Sequence, residues 1–205
     1  MDVIVLTIDR RGSRTHADDV DQTRSALSAR WSRRLRSPIA RFAGDELQLV
    51  TTDAVACVGI ALELTRSGDW SVGIGIGAGV VADDPAASTG PAFFAARRAV
   101  DRAKHAPTRV AIEVDVHDEA RADGADDLEA VLWLLVALRD RRTRQGWEVA
   151  DLLGRVATQR DVAEELGISA SAVSARAVAA GIRVESVGVA TVEGMLARLM
   201  GGADA

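Results

Sequence analysis

The sequence contains one cysteine, Cys57, one lysine, Lys104, and three histidines in 205 residues. A lone cysteine excludes an intrachain disulfide and any Cys-x-x-Cys metal site. His16, His105 and His117 share no ligand spacing, and Cys57 falls on an apolar helical face, where it reads as a small buried hydrophobe. No run approaches the roughly eighteen uninterrupted apolar residues of a membrane span, so no membrane partner is expected. The opening MDVIVLTIDRRG sets an acid at position 2 before a short apolar run, which reads as a strand and not a signal peptide. A cytoplasmic location is the expectation. With lysine nearly missing, positive charge rests on arginine, which stays protonated and forks onto phosphate. The net charge of −5 excludes a generally polyanion-coating surface and leaves room only for a local basic patch.

What is present is an ordinary globular composition, 48% hydrophobic and 27% charged, in a chain long enough for one large domain or two small ones. Val3–Asp9 is a β-rich run ending in an acid. From Asp18 to Arg36, Val20, Leu27, Trp31 and Leu35 recur at near-helical spacing, and Pro38 stops that helix. Strands through Ile39–Ala43 and Leu47–Thr51, with a turn at Gly44–Glu46, make a hairpin. Asp53 caps a helix through Leu64, which Gly68 ends. Trp70–Val81, WSVGIGIGAGVV, alternates as a strand, with glycines where another group approaches closely. Those glycines do not bridge a strand to a helix, so they are not a dinucleotide fingerprint. The order β-α-β-β-α-β predicts an α+β fold, a ferredoxin-like four-stranded antiparallel sheet with helices on one face. A third helix follows at Gly90–His105 and a fifth strand at Arg109–Val116. The acidic, small-residue stretch 117–127 reads as a linker, which divides the chain into a palm-like domain at 1–116 and an all-α domain at 128–205 with a last helix at Thr191–Met200. No internal repeat is evident.

In that topology the first strand lies antiparallel beside the third, so its end meets the hairpin. Asp9 ends the first strand and Asp45 sits in the hairpin stretch RFAGDELQLV, so two carboxylates distant in sequence converge. Hard oxygen ligands so arranged suit Mg2+ or Mn2+ beside substrate phosphates. The loop Arg10, Arg11, Gly12, Ser13, Arg14 offers backbone N–H groups, a glycine and arginines at a helix start, a phosphate cradle. One acid at one turn is equally explained by solvation, so the convergence distinguishes the readings. Glu46 receives no role.

LTIDRRGSR, AGDELQ, VGIGIGAGVV and STGPAFFAARRA occur here in the order and spacing of the SatD family, and the chain resembles that family over roughly its first 110 residues. A helix-turn-helix after them also fits the resemblance. More remotely the same blocks resemble the palm domain of class III nucleotide cyclases and GGDEF-type enzymes. That likeness implies that Asp9 and Asp45 hold metal on a nucleoside triphosphate. It also implies that Arg97, from a family Asn-x-x-x-Arg helix falling on Phe93–Arg97, neutralises the phosphates. Phe93 stands where the asparagine belongs, which moves the expectation from catalysis to a degenerate, nucleotide-sensing domain.

Thr158–Ile182 has the shape of a helix-turn-helix: Arg160–Leu166 amphipathic, Gly167 at the turn, Ile168 as a core plug, and Ser169 capping the second helix. Val173 and Val178 are expected inward. Ser171, Ala172, Ser174, Ala175 and Arg176 form a small, polar outer face suited to a major groove, and Gln159 suits a phosphate contact. Ser169–Arg183 contains no acid, unlike the preceding helix, and Arg139–Arg144 adds a basic cluster. An ordinary αα-hairpin also uses a glycine turn. Leu128–Leu138 is rich enough for a core or a dimer interface, and a helix-turn-helix protein usually pairs. The expected protein is therefore a homodimeric regulator that binds double-stranded DNA and whose palm-like domain binds a nucleotide. A nucleotidyl cyclase using the same acids is the rival, and a palm serving only as a dimerisation scaffold is the third reading.

Overall fold

The computed structural model describes residues 1–12, 17–42, 44–115, 119–155 and 158–201. The chain divides into two compact units, Met1–Trp133 with Val192–Ala205, and Leu134–Thr191. No described helix is long and apolar enough to cross a membrane.

The first unit contains β1 (Asp2–Arg10), α1 (Ala17–Trp31), β2 (Ala40–Arg41), β3 (Glu46–Thr51), α2 (Ala54–Thr65), β4 (Trp70–Ala78), α3 (Pro91–Ala103) and β5 (Val110–Val114). To it also belong the part of α4 (Glu119–Asp140) up to Trp133 and the end of α8 (Ile182–Gly201) from Val192. One mixed sheet runs in the order β2-β3-β1-β4-β5. In it β1 is antiparallel to both neighbours and β5 is parallel to β4. Period-two alternation sorts the side chains. Ile4, Leu6 and Ile8 share one face with Leu47, Leu49, Ile74 and Ile76, all buried, under α1 and α2. Asp53 caps α2, accepting from the N–H groups of Val55 and Ala56.

The other face carries Val3 and Val5, packed with Ala92, Phe93 and Ala96 of α3. It is covered as well, which differs from the expected sheet with helices on one side. The physical reason lies in β4. A Cβ on Gly73 would stand 2.1 Å from the Val100 nitrogen, and one on Gly75 2.2 Å from both the Ala92 oxygen and the Ala96 nitrogen. The strand glycines let the α3 backbone rest directly on the sheet.

Residues 119–127, expected as linker, are the first turns of α4. Alanines and early acids favour a helix N-terminal half, and Ala125 and Leu128 are buried there. Arg121 pairs with Asp2 at 2.7 Å. Further along α4, buried Glu129 accepts the Ile112 backbone N–H at 2.6 Å and takes Arg102 through both oxygens at 2.7 and 2.6 Å. Trp133 donates its indole N–H to the Val110 carbonyl at 2.8 Å. Side chains of α4 thus satisfy backbone groups of β5 that an edge strand otherwise exposes for intermolecular pairing.

The second unit holds the remainder of α4 and α8 with α5 (Arg144–Leu153), α6 (Gln159–Leu166) and α7 (Ala170–Ala179). Val149, Leu152, Val162, Ala163, Val173 and Ala177 form its three-helix core, with Leu166 and Ile168 packed against it. Val178, expected inward, is 80% exposed. One helical turn beyond Val173 is Ala177, and the next residue rotates about 100° away from the core. The helix expected at 191–200 is the C-terminal half of a longer α8.

Candidate functional sites

Antiparallel register places Glu46 directly opposite Asp9, so both side chains leave the same face of the sheet. That is the face α3 covers. Along α3 and its C-terminal cap, Arg97, Asp101 and Lys104 follow at spacings of four and three, one helical stripe. Arg97 pairs with Glu46. Lys104 lies 3.4 Å from Asp9 and 3.2 Å from Asp101. Asp45, half-buried at the hairpin, is near enough for its charge to act on Asp9. Burial, the largest influence, raises the Asp9 pKa; Lys104 opposes that, and Asp45 adds to it. Burial works against the Lys104 charge, but hydrogen bonding to Asp101 and the charge of Asp9 outweigh it and raise its pKa. Glu46 is 8% exposed, and its Oε1 is buried with no hydrogen-bond partner among the described residues.

Asp9 and Asp45 therefore converge, and the residues sequence reasoning passed over are Glu46 and Lys104. By sequence Glu46 belongs to the turn, yet it is the first residue of β3, and only the pairing register reveals what it faces. Lys104 carried a signal in being the only lysine.

The end of β1 is engaged, and the described start of the loop after it is tied through its backbone. The Arg10 guanidinium sits 5.7 Å from the Trp70 ring centroid and 2.7 Å from Asp19. The Arg11 backbone N–H donates to the Asp69 carbonyl at 2.8 Å, while its side chain is exposed. Gly12 turns the chain at φ +75°, a conformation that favours glycine. Ser13 and Arg14 lie outside the described residues, as do His16 and His117. Phe93 is a core residue with Val3 and Val5, so the position where the cyclase resemblance expects an asparagine faces the hydrophobic interior. Burial pushes the Cys57 thiol pKa up, in keeping with a small apolar role.

The Mg2+ or Mn2+ expected between Asp9 and Asp45 does not fit these residues as they stand. Among the described residues no three acidic, histidine or cysteine side chains gather around one point. The ammonium of Lys104 already lies against Asp9, and two cations cannot share that carboxylate without strong repulsion.

In the second unit, Thr158 caps α6 in a capping box with Asp161. Gly167 ends α6 at φ +63°, and the Ser169 hydroxyl accepts from the Ala172 N–H to start α7. Gln159, Ser169, Ser171 and Ser174 are exposed, and Ala172 and Arg176 are half-buried. Ser171, Ala172, Ser174 and Arg176 lie on α7, with Ser169 as its cap; Gln159 begins α6. Gln159 and Ser174 border one open groove of about 500 Å3 with Val178, Ile182 and Arg183. Much of the basic cluster 139–144 is otherwise occupied. Arg139 and Arg142 both pair with Glu185 and lie 4.8 and 4.4 Å from the Trp147 ring centroid. Arg144 pairs with Glu148 at 3.1 Å.

No protein-family model matches the chain, and no curated protein matches it. Among solved structures, a regulator of polyketide synthase expression from Bifidobacterium adolescentis aligns with 100% of this chain and 82% of its own, at 14% identity and a TM-score of 0.29. A likeness that loose fixes neither a common fold nor a common function.

Proposed function

We propose that this chain is a DNA-binding transcriptional regulator that acts as a homodimer. In this reading α6 and α7 form a helix-turn-helix, and the first unit is a degenerate, ferredoxin-like palm that responds to a nucleotide. The observation that carries the DNA reading is the outer side of α7. Ser171, Ser174, Ala175 and Arg176 present small and polar groups with no acid among them, and Arg176 has no ion pair among the described residues. The Gly167 turn and the Ser169 cap hold that helix against the core, which supports its use in a major groove with Gln159 on a phosphate. The strand order with two antiparallel neighbours for β1 supports the palm reading, and the exposed Arg11 side chain beside Gly12 supports an anion contact there.

The test is fluorescence anisotropy on duplex DNA from the promoter of its own operon, with and without a panel of nucleotides. Arg176→Ala is expected to weaken binding by about 1–3 kcal/mol if it reads a base edge, and affinity is expected to fall linearly with salt on logarithmic axes. An Arg176→Ala protein that binds as tightly as the unaltered chain overturns the assignment of α7.

A second reading, that the first unit is a scaffold without a ligand, is favoured by a specific observation. Arg10, Arg97 and Lys104 are all ion-paired within the unit. Calorimetry showing nucleotide binding supports the sensing reading; its absence supports the scaffold.

A further inference from the structure

We infer that Lys104 is the built-in counter-cation of the acidic end of the sheet and makes the first unit independent of divalent metal. Asp9 and Glu46 lie side by side on the α3-covered face, and α3 answers them from one stripe: Arg97 on Glu46, and Lys104 on Asp9 and on Asp101 of the stripe itself. Asp45 adds its charge at the same end. A metal would have to neutralise the same carboxylates, and dehydrating Mg2+ to reach them is unfavourable. The lysine is tethered by α3, so its local concentration at Asp9 far exceeds that of any free cation. It also stands at the helix C-terminus, where the macrodipole favours positive charge. Selection of lysine here is notable against the chain's reliance on arginine elsewhere. A compact ammonium on a flexible stem reaches Asp9 and Asp101 as a point charge, without the planar geometry a guanidinium imposes.

The inference concerns the site of the nucleotide reading, but metal titration needs no nucleotide, so the two fail separately. The full chain is titrated with Mn2+ and followed by the loss of the free-ion electron paramagnetic resonance signal. The unaltered chain is expected to take up no Mn2+ up to about 1 mM, the weak end for carboxylate-built cation sites, and its thermal midpoint is expected not to move with EDTA. Lys104→Met leaves Asp9 without its counter-cation, so its midpoint is expected to start low and to rise about 3–5 °C with Mn2+ at tenfold the dissociation constant. Lys104→Arg is expected to recover only part of the lost midpoint. Uptake of Mn2+ by the unaltered chain that disappears in Asp9→Asn overturns the inference, and that measurement does not depend on whether Lys104→Met folds. A Lys104→Met protein as stable as the parent and indifferent to Mn2+ overturns it too.

Discussion

Gly75→Ala adds one methyl group at the centre of β4, and two effects of opposite sign compete. Restricting the unfolded chain favours alanine by about 0.4–1 kcal/mol where the native backbone accepts it. Against that, the new Cβ would lie 2.2 Å from the Ala92 carbonyl oxygen, 2.2 Å from the Ala96 nitrogen and 2.8 Å from the Ala96 Cα. Ordinary contact needs roughly 3.5 Å, so helix and strand must separate by more than an ångström. All the obstructing atoms are α3 backbone, and no rotamer change relieves them. The separation would also loosen Val3 and Val5 from Ala92 and Ala96. Overpacking costs about 1–3 kcal/mol where side chains can yield, so the upper end or beyond applies here. The net loss is about 2–3 kcal/mol, a fall in midpoint of about 5–10 °C for a chain of this size. Differential scanning calorimetry reads the midpoint, and Trp70, buried in β4, reports the same transition by fluorescence. Gly154→Ala is the control. Gly154 has ordinary helical dihedrals, φ −75° and ψ −12°, and a Cβ there meets nothing nearer than 3.5 Å. Its midpoint should stay level or rise. A Gly75→Ala protein as stable as the parent would show that α3 does not rest on β4 as described.

The remaining predictions concern charge. Asp9 has a raised pKa, from burial first, so the folded state binds its proton more tightly than the unfolded state. Stability from this group therefore falls as pH rises from the ordinary carboxyl value of 3.8 through the raised folded value. Asp9→Asn should flatten that part of the denaturant midpoint against pH; an unchanged slope refutes the shift. Glu129→Gln keeps the shape of the side chain but removes the charge that holds Arg102 and the acceptor strength at Ile112. Because Arg102 is partly exposed, the cost should be about 2–3 kcal/mol, below the 3–5 of a fully buried pair, with faster amide exchange in β5 and a greater tendency to aggregate.

The sheet was largely legible because its strands obey simple patterns. Val3–Leu6 is apolar at consecutive positions since both faces are covered, and Trp70–Val81 alternates with glycine because one face meets a helix backbone. The glycines signalled a close approach but not what approaches. That distinction separates the expected one-sided sheet from the two-sided one. The junction of α6 and α7 was legible through Gly167 and Ser169, whose roles at the helix ends are local; the Thr158 cap was not read. The start of α4 was not. Alanine, glycine and acids over 119–127 read as solvated linker until Leu128, Leu132 and the Glu129 network are known to hold the helix against β5. Topology alone brings the charges of Asp9 and Asp45 to one end of the sheet, whereas what Glu46 faces depends on a one-residue difference in where β3 begins. In a strand, that single residue decides which face a side chain takes.

Positive charge is used in two ways, tied to an acid or left without an ion pair, and the difference bears on where a phosphate can be met. In the first unit Arg97, Arg102 and Lys104 are tied to Glu46, Glu129, Asp9 and Asp101. A phosphate arriving there must displace a partner already in place and approach carboxylates that outnumber the cations beside them, which the Coulomb energy opposes at short range. In the second unit Arg139 and Arg142 are similarly tied to Glu185. Arg160, Arg176 and Arg183, on α6, α7 and α8, have no ion pair among the described residues. Nothing needs to be broken before they contact a phosphate, and counterion release then adds a favourable, salt-dependent term. Paired arginines hold the helical unit together, unpaired ones remain available for a ligand, and the acid-free face of α7 lies among the latter. The net charge of −5 does not oppose the proposed DNA contact, because nucleic-acid affinity follows local charge and not the molecular sum.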